Sequence, residues 1–195
     1  MSKEIKITVP DGKTAEWKNG VLTLVDEVKA DNRPVTERIK TFEDACKALG
    51  ENHQLVQEMS DAQMIGKLSP DLLAFLKLRI IARALNEGWE PQFTTSEYRW
   101  FPWFVLYTQK EIDELDAEDK TRVVLRSVSS AYAGGGVAFA YASSASSFAA
   151  TRCGSRLAFK TRELAEYAGK QFTDIWADFV FRPKQNPQAE KSDAE

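Results

Sequence analysis

Hydrophobic and polar residues alternate near the N-terminus and predict strands there. Between residues 5 and 9 every second residue is apolar, and a Pro-Asp-Gly turn signal follows, which is typical of a half-buried strand. Two further apolar stretches, 15–17 and 21–25, flank an Asn-Gly pair. Because Asn and Gly both tolerate positive φ, this arrangement predicts a β-hairpin closed by a type I′ turn.

Helical spacing of the apolar residues begins near residue 41. Thr41 is a capping residue ahead of a short amphipathic helix that Gly50 ends. Segment 51–68 has no clear period, and we expect a loop there with a short helical turn. A Ser-Pro-Asp sequence at 69–71 then opens a longer and more apolar helix over about 70–87, because it combines a capping serine, a proline in the first turn and an acid near the positive helix end.

An aromatic run opens the second half of the chain and predicts a strand over 98–107. Its single proline, Pro102, confines this strand to a sheet edge or a bulge. Thr108 and Glu111 form a capping-box pattern that starts a short acidic helix. Apolar stretches predict three more strands, at 122–125, 137–141 and 156–159.

The most regular apolar pattern lies near the C-terminus. Thr161 is a capping residue, and the apolar residues that follow it form one stripe, so we predict a continuous helix over about 162–180. Gly169 inside this helix costs about 1 kcal/mol relative to alanine, and we expect it to permit close contact with a neighbouring element. The chain has no large apolar residue from position 183 onward, which predicts disorder over 183–195. The stripe consists of Leu164, Ala168, Phe172, Ile175 and Phe179.

The order of these elements predicts an α+β fold, because strands and helices do not alternate as a doubly wound parallel sheet requires. We expect an antiparallel or mixed sheet of about five to seven strands, packed against two main helices over about 70–87 and 162–180. One domain is predicted over 1–182, followed by the disordered tail. Its parts are an N-terminal β unit at 1–27, a helical segment at 41–88, and the sheet with the C-terminal helix at 98–181.

Composition and charge are those of an ordinary soluble globular protein. The chain has 195 residues, 43% of them hydrophobic and 28% charged, and a formal net charge of −3. This acidic balance disfavours nucleic acid as a partner, since phosphate binding needs a basic face. Two distant cysteines, Cys46 and Cys153, predict reduced thiols, with a single bridge between them as the alternative. The polar N-terminus and the lack of a roughly 20-residue apolar run predict a soluble protein with no signal peptide and no membrane span.

Residues for catalysis or metal binding form no recognisable motif. His53 is the one histidine of the sequence, so a Ser-His-Asp or Cys-His site would have to use it, and a surface role is the simpler interpretation. Zinc binding lacks His and Cys at short spacing. The glycines at 134–136 are followed by neither a Lys-Ser/Thr pair nor a helix, and the acids at 113–119 lack EF-hand spacing. We therefore predict no catalytic residue, no metal site and no cofactor.

Two segments are candidates for a binding surface. Segment 127–153 consists almost wholly of small residues with a few aromatic ones, and it precedes the firmly patterned C-terminal helix, a layout common in binding proteins. Its alternative role is tight packing of strands without any ligand. In the aromatic run, alternate side chains of a strand enter the core, so at least half of these rings should be buried. The candidate binding residues are Trp100, Trp103, Tyr132, Tyr141, Ser143, Ser144, Ser146, Ser147 and Arg152.

Several stretches of the chain resemble one phage-encoded family. The opening EIKITVPDGKTAEW, the run EYRWFPWFVLYTQKEIDELDAEDK and above all GSRLAFKTRELAEYAGKQF carry the resemblance, which covers residues 3–181. In these stretches the chain is similar to an uncharacterised family encoded by phages and prophages of gut Bacteroidetes, crAss-like phages among them. Segment 127–153 is more loosely similar to the C-type-lectin-like variable proteins of phage diversity-generating systems. The resemblance implies a viral origin and synthesis in the host cytoplasm, with or without packaging in the virion, and it carries over no catalytic residue.

Three functional hypotheses follow. We favour a non-enzymatic binding protein, either a virion component or a host-directed accessory factor, that acts through segment 127–153 on a protein partner or by self-assembly. A display module for carbohydrates or receptors is the first alternative and predicts a shallow aromatic pocket around Trp100 and Trp103. An enzyme of unrecognised class is the second, and it needs a deep pocket with converging acids. Basic residues around the segment either hold an anionic partner or only offset the acidic helix: Arg126, Arg152, Arg156, Lys160 and Arg162.

Overall fold

The computed structural model of this chain describes residues 7–18, 20–26, 31–92, 94–126, 135–146 and 155–181. The chain divides into two compact units, Met1–Arg33 and Pro34–Glu195. The sequence instead favours one domain over 1–182 that includes the N-terminal β unit. The predicted α+β class is confirmed within the described ranges, where helices and antiparallel sheets both form. The tail predicted over 183–195 lies outside the described residues.

The first unit contains a β-hairpin. Its strands, β1 (Lys13–Lys18) and β2 (Val21–Asp26), pair antiparallel along their full length. Gly20 in the turn has a φ of +79°, a left-handed conformation that glycine adopts without strain. The predicted hairpin is therefore confirmed. Residues 7–10, the described part of the strand region predicted before it, form no strand.

Four helices begin the second unit. Thr41 caps the second of them by accepting a hydrogen bond from the backbone N–H of Asp44, whose carboxylate accepts one from the N–H of Thr41 in return. The predicted capping pattern is thus confirmed, because both hydrogen bonds lie within three residues of sequence. The helices are α1 (Val35–Arg38), α2 (Phe42–Leu49), α3 (Gln54–Ile65) and α4 (Pro70–Leu85).

Helix α3 corrects the prediction that segment 51–68 is mostly a loop. It has 12 residues and begins after His53, whose Nδ1 accepts a hydrogen bond from the backbone N–H of Leu55 at 3.2 Å. Gly66 ends the helix in the left-handed conformation. Histidine is not among the usual N-capping residues, so the sequence gives no ordinary start signal for this helix.

Helix α4 lies at the centre of the second unit, as its apolar sequence predicts. Ser69 precedes it at the capping position without a side-chain hydrogen bond, and Pro70 occupies the first turn. The helix ends at Asn86, and the backbone N–H of Trp89 returns to the carbonyl of Asn86 at 2.9 Å. Within the described part of the chain, no helix is both long enough and apolar enough to span a membrane.

A three-stranded antiparallel sheet with the order β3-β5-β4 forms the second layer. The long strand β5 is central, and β3 is an edge strand, as Pro102 requires. The described residues contain five strands in two sheets, and not one sheet of five to seven strands, because the hairpin forms a sheet by itself. The strands of this second sheet are β3 (Tyr98–Thr108), β4 (Val124–Arg126) and β5 (Gly135–Ser146).

The acidic segment after β3 forms two short helices where one was predicted. The capping box of Thr108 and Glu111 is confirmed and begins α5 (Gln109–Glu114). Leu115 then adopts an extended conformation, and Asp116 caps α6 (Ala117–Thr121) by accepting from the backbone N–H of Asp119 at 2.8 Å. This second cap explains the break, because an aspartate at the N-cap position favours the start of a new helix.

The prediction of a strand over 156–159 is wrong. A short 3₁₀-helix, Ser155–Leu157, occupies most of this segment. Only Phe159 pairs with the sheet, through an isolated antiparallel bridge in which it exchanges two backbone hydrogen bonds with Trp100, at 2.8 and 2.9 Å.

The C-terminal helix is likewise not continuous. It consists of α7 (Arg162–Gln171) and α8 (Thr173–Val180), and the break lies at Phe172. The hydroxyl of Thr173 donates to the carbonyl of Gly169 at 2.7 Å, which satisfies a carbonyl of the last turn of α7. The capping role of Thr161 is confirmed, because it accepts from the backbone N–H of Leu164. The apolar stripe runs across the break, with its first three members buried and its last two partly buried.

Helices α7 and α8 cover one face of the three-stranded sheet, here called the inner face. The core lies between this face and the helices α4, α7 and α8. Phe104 of β3 packs on Trp176 of α8 with a ring-centroid distance of 5.2 Å. The largest fully buried side chains of the core are Trp176, Phe159, Leu78, Ile80, Ile81, Leu85 and Leu157.

Gly169 is confirmed as a point of close contact. A Cβ atom at this position would lie 2.6 Å from Cε2 of Phe139 and 2.8 Å from Cβ of Pro102, distances at which the neighbours must move. We expect Gly169→Ala to lower the free energy of unfolding by about 1–2 kcal/mol, because overpacking exceeds the gain in helix propensity. Urea denaturation measures this change.

A second substitution provides the control for this prediction. Phe139→Ala removes the ring that obstructs residue 169, so Gly169→Ala should cost clearly less in that background, where the close contact with Pro102 remains. An equal cost of Gly169→Ala in both backgrounds would contradict the steric explanation.

Candidate functional site

Six of the nine candidate binding residues lie on the ladder between β3 and β5. Trp100 is paired with Ser144, and Trp103 with Tyr141. Tyr132, Ser147 and Arg152 lie outside the described residues. The two remaining candidates, Ser143 and Ser146, are paired with Phe101 and Tyr98.

The sheet divides these six residues between its two faces. Trp100 packs against the core on the inner face, and Ser144 opposite it shares that face. Trp103 is three residues further along β3 and points to the opposite side, because strand side chains alternate. A single shallow pocket around Trp100 and Trp103 therefore does not form. The side of the sheet opposite the inner face, here called the outer face, carries Trp103, Val105, Leu125, Tyr141 and Ser143. It is partly covered, because Phe101 on the same side is buried and a Cβ atom on Gly136 would lie 3.3 Å from Cδ1 of Ile112 in α5.

Two stacked rings form the centre of the outer face. The rings of Trp103 and Tyr141 lie 5.9 Å apart between centroids and are inclined by 17°. Phe101 contacts the other side of this pair, 6.2 Å from Trp103. Tyr141 is 53% exposed, and Leu125 on the neighbouring strand is 62% exposed. The outer face thus presents a mixed aromatic and aliphatic surface to solvent.

A β-bulge places Tyr141 on this face. Trp103 pairs with Tyr141, but the next residue, Phe104, pairs with Phe139, so Ala140 has no partner on β3. The extra residue lets Phe139 point to the inner face and Tyr141 to the outer face, although they are two residues apart. No feature of the sequence predicts this bulge, since Pro102, the residue expected to cause irregularity, lies on the other strand.

Beside the bulge lies an open cavity of about 740 Å³, here called the β5-edge groove. Phe139, Ala140 and Tyr141 contribute to its β5 side. Among the described strands, β4 pairs with β5 only at Gly135–Val137, so no strand pairs with this part of the edge. The groove therefore begins where β4 pairing ends, and Tyr141 belongs both to the groove and to the outer face.

Charged side chains of α7 form one wall of the groove. Glu166 accepts from Arg162 Nε at 2.7 Å and lies 3.9 Å from Lys170 Nζ, so two cations share one carboxylate. Lys170 also lies over the ring of Phe139, with Nζ 5.3 Å from its centroid. On the opposite wall, Arg122 pairs with acids of α6. The α7 wall thus carries a surplus of one positive charge beside an aromatic floor.

The described part of segment 127–153 is strand β5, and most of its small residues serve for packing. Residues 135–138 and Ala142 are buried. A Cβ atom on Gly135 would lie 2.5 Å from the carbonyl oxygen of Tyr107, so this glycine permits close approach of the strands. In the described part of the segment, full exposure is limited to Ala140 and Tyr141. Tight packing, one of the two roles left open above, accounts for most of β5.

The side chains considered for catalysis have structural roles in this fold. His53 caps α3 through Nδ1. Burial raises the pKa of the Cys46 thiol, and the nearby charge of Glu43 raises it further, so the thiol remains protonated at neutral pH. Of the acids at 113–119, Asp116 caps α6, Glu118 and Asp119 pair with Arg122, and Asp113 and Glu114 interact with Gln109 and Lys110 of their own helix. Within the described ranges, no three His, Cys, Asp or Glu residues are arranged to hold a metal ion.

No protein-family model matches this chain, and neither a curated protein nor a solved structure is significantly similar to it. Its function is therefore inferred from the outer face and the β5-edge groove themselves.

Proposed function

We propose that this chain is a phage- or prophage-encoded protein-binding module whose partner docks on the outer face and extends into the β5-edge groove. The observation that carries the proposal is the exposure of Tyr141 at the junction of these two surfaces. The partner is another protein of the host or of the virus, and the sheet is the rigid support from which the binding residues project.

The residue types of the outer face support a protein partner. Tyrosine, tryptophan and arginine are the residues that contribute most binding energy at protein interfaces. Here the Trp103–Tyr141 stack shares one face of the sheet with exposed Val105 on the same strand and exposed Leu125 further along, on β4. Burial of such aromatic and aliphatic side chains is favourable. Because all of these side chains are fixed to paired strands, binding would immobilise few of them further, which lowers the entropic cost of association.

The groove adds a polar rim to this apolar centre. Arg162, Glu166 and Lys170 form a charged row along α7, and Arg122 lies across the groove. Protein interfaces commonly combine an apolar centre with a polar rim that excludes water and selects the partner by charge. The surplus positive charge of the α7 wall favours a partner segment that carries an acidic side chain.

The stacked rings also favour a second candidate, a carbohydrate ligand. Aromatic faces are a common platform for apolar ring surfaces, and the outer face of the Trp103–Tyr141 pair is shallow and open. A panel of soluble oligosaccharides titrated against the protein and followed by tryptophan fluorescence distinguishes this candidate from a protein partner.

Affinity capture with paired variants tests the main proposal. We expect the double substitution Tyr141→Ser and Leu125→Ser to abolish capture of the partner from producing cells, because it removes the exposed apolar centre. The matched control is Met64→Ser with Ile65→Ser, which removes two equally exposed apolar side chains at the end of α3. Two results would contradict binding through the outer face: capture that survives the substitutions at Tyr141 and Leu125, or capture that the control substitutions at Met64 and Ile65 abolish as well.

A further inference from the structure

A second cavity, of about 310 Å³, lies at the C-terminal end of α4 and shares no residue with the β5-edge groove. Three arginine side chains line it: Arg79 and Arg83 from α4, and Arg156 from the 3₁₀-helix. Arg156 is more than 70 residues away from both α4 arginines in the sequence, so the fold brings them together. In a chain with a formal net charge of −3, such a concentration of guanidinium groups requires an explanation.

The charges of this arginine cleft do not cancel. Arg79 pairs with Glu58 at 3.0 Å, and Arg83 pairs with Glu90 at 2.8 Å. Arg156 has no carboxylate within ion-pair distance in the described part of the chain, so three cations face two acids. The C-terminus of α4 contributes a partial negative charge of about half an elementary charge, which is smaller than the surplus. The cleft therefore remains attractive to an anion, and its two partly exposed ion pairs are weaker than fully buried ones would be.

Asn86 anchors the chain just after Arg156. Asn86 is 5% exposed; its Nδ2 donates to the carbonyl of Ala158 at 2.9 Å, and its Oδ1 accepts from the backbone N–H of Lys160 at 3.1 Å. Leu157 and Phe159 are buried in the core. The backbone that follows Arg156 is thus held against α4, which limits the backbone entropy that is lost when the exposed Arg156 side chain binds.

The remaining lining of the cleft is partly apolar. Leu55, Ala82 and Pro91 line it, as does the half-buried Trp89 from the turn after α4, while Asn86 and Glu90 are its other polar residues. Guanidinium groups bind phosphate oxygens in a planar, bidentate manner, and an indole ring stacks on a planar partner. The size of the cavity lies at the lower end of the range for small-molecule sites.

From this combination we propose that the cleft binds a small phosphate ester on a planar ring, a ligand of mononucleotide size. The phosphate contacts Arg156 and the two arginines of α4, and the ring packs against Trp89 and Leu55. This site is independent of the protein partner proposed above, because none of its residues belongs to the outer face or the groove.

Calorimetric titration of the full chain tests this site with three probes: adenosine 5′-monophosphate, adenosine and inorganic phosphate. We expect the monophosphate to bind at least about tenfold more tightly than either fragment, since it alone uses both the arginines and the apolar wall. Arg156→Gln should weaken its binding by about tenfold or more, and Arg156→Lys by less, because lysine keeps the charge and loses the planar fork.

Arg33→Gln is the matched control, because it removes the same charge from an exposed position that lines neither the cleft nor the groove. Arg156 is exposed, so thermal unfolding of Arg156→Gln should match that of the wild type and exclude misfolding as a cause. The proposal is overturned if the monophosphate does not bind, if inorganic phosphate binds equally well, or if Arg156→Gln and Arg33→Gln have the same effect.

Discussion

Replacing Trp176 by alanine should lower the free energy of unfolding by about 3–5 kcal/mol. Trp176 is 2% exposed and is the largest fully buried side chain of the chain's described residues. It packs on Phe104 of the sheet and on Phe179 of its own helix. Because it joins α8 to the inner face, alanine would leave a cavity that rigid neighbours on both layers cannot fill. Guanidinium chloride denaturation followed by circular dichroism measures the loss.

Two control substitutions separate the cavity from other effects. The Nε1–H of Trp176 has no hydrogen-bond partner among the described residues, so Trp176→Phe loses no hydrogen bond and should cost less than about 2 kcal/mol. Trp17→Ala removes the same side chain from a position that is 72% exposed and should change stability by less than about 0.5 kcal/mol. A cost for Trp176→Ala as small as that for Trp17→Ala would show that α8 is not packed as described.

Replacing Asn86 by alanine should lower the free energy of unfolding by about 2–4 kcal/mol, because two backbone groups lose their partner. Ala158 is buried, so water cannot replace the donor to its carbonyl, whereas the N–H of Lys160 is closer to solvent. The amide of Lys160 should also exchange its hydrogen faster in this variant. Denaturation together with hydrogen exchange at Lys160 measures both effects.

The matched control for this substitution is Asn52→Ala. Asn52 is an exposed asparagine before α3, and its replacement should be close to neutral. Equal stability of Asn86→Ala and Asn52→Ala would mean that the segment around Arg156 is not held by Asn86, and it would remove the structural basis for the position of Arg156 in the arginine cleft.

Local hydrogen bonds explain which parts of the fold the sequence predicts well. Thr41, Thr108 and Thr161 each bond to a backbone group three residues away, so their capping roles are visible in the sequence without knowledge of the tertiary fold. The hairpin is predictable for the same reason, because the turn at Gly20 determines its own conformation. The edge position of β3 follows from Pro102, which lacks a backbone donor.

The features that escape prediction depend on distant partners. The break at Phe172 divides the apolar stripe, whose last member, Phe179, stacks on Phe75 of α4. The amphipathic pattern is the same whether the helix is continuous or broken. The bulge at Ala140 depends on the register between two strands. The arginine cleft joins residues from α4 with Arg156, and each of these arginines alone resembles an ordinary surface residue.

The sequence likewise identifies some residues of the candidate site and not others. Tyr141 and Trp103 were identified as binding candidates from their chemistry, and the structure stacks them on one another. Trp100 could have been separated from Trp103 by strand alternation alone, because three residues divide them. Of the charged wall of α7, the sequence marks only Arg162 as a possible contact for an anionic partner, whereas Glu166 and Lys170 look like the solvent side of an amphipathic helix.

The most direct test of protein binding at the outer face is site-specific photo-crosslinking in the cells that produce this protein. A photoreactive phenylalanine analogue placed at Tyr141 should form one dominant adduct with another protein. The same analogue at Asp61, an exposed position on α3, should form none. Adducts of equal yield at both positions, or none at Tyr141, would contradict a partner that docks on this face of the sheet.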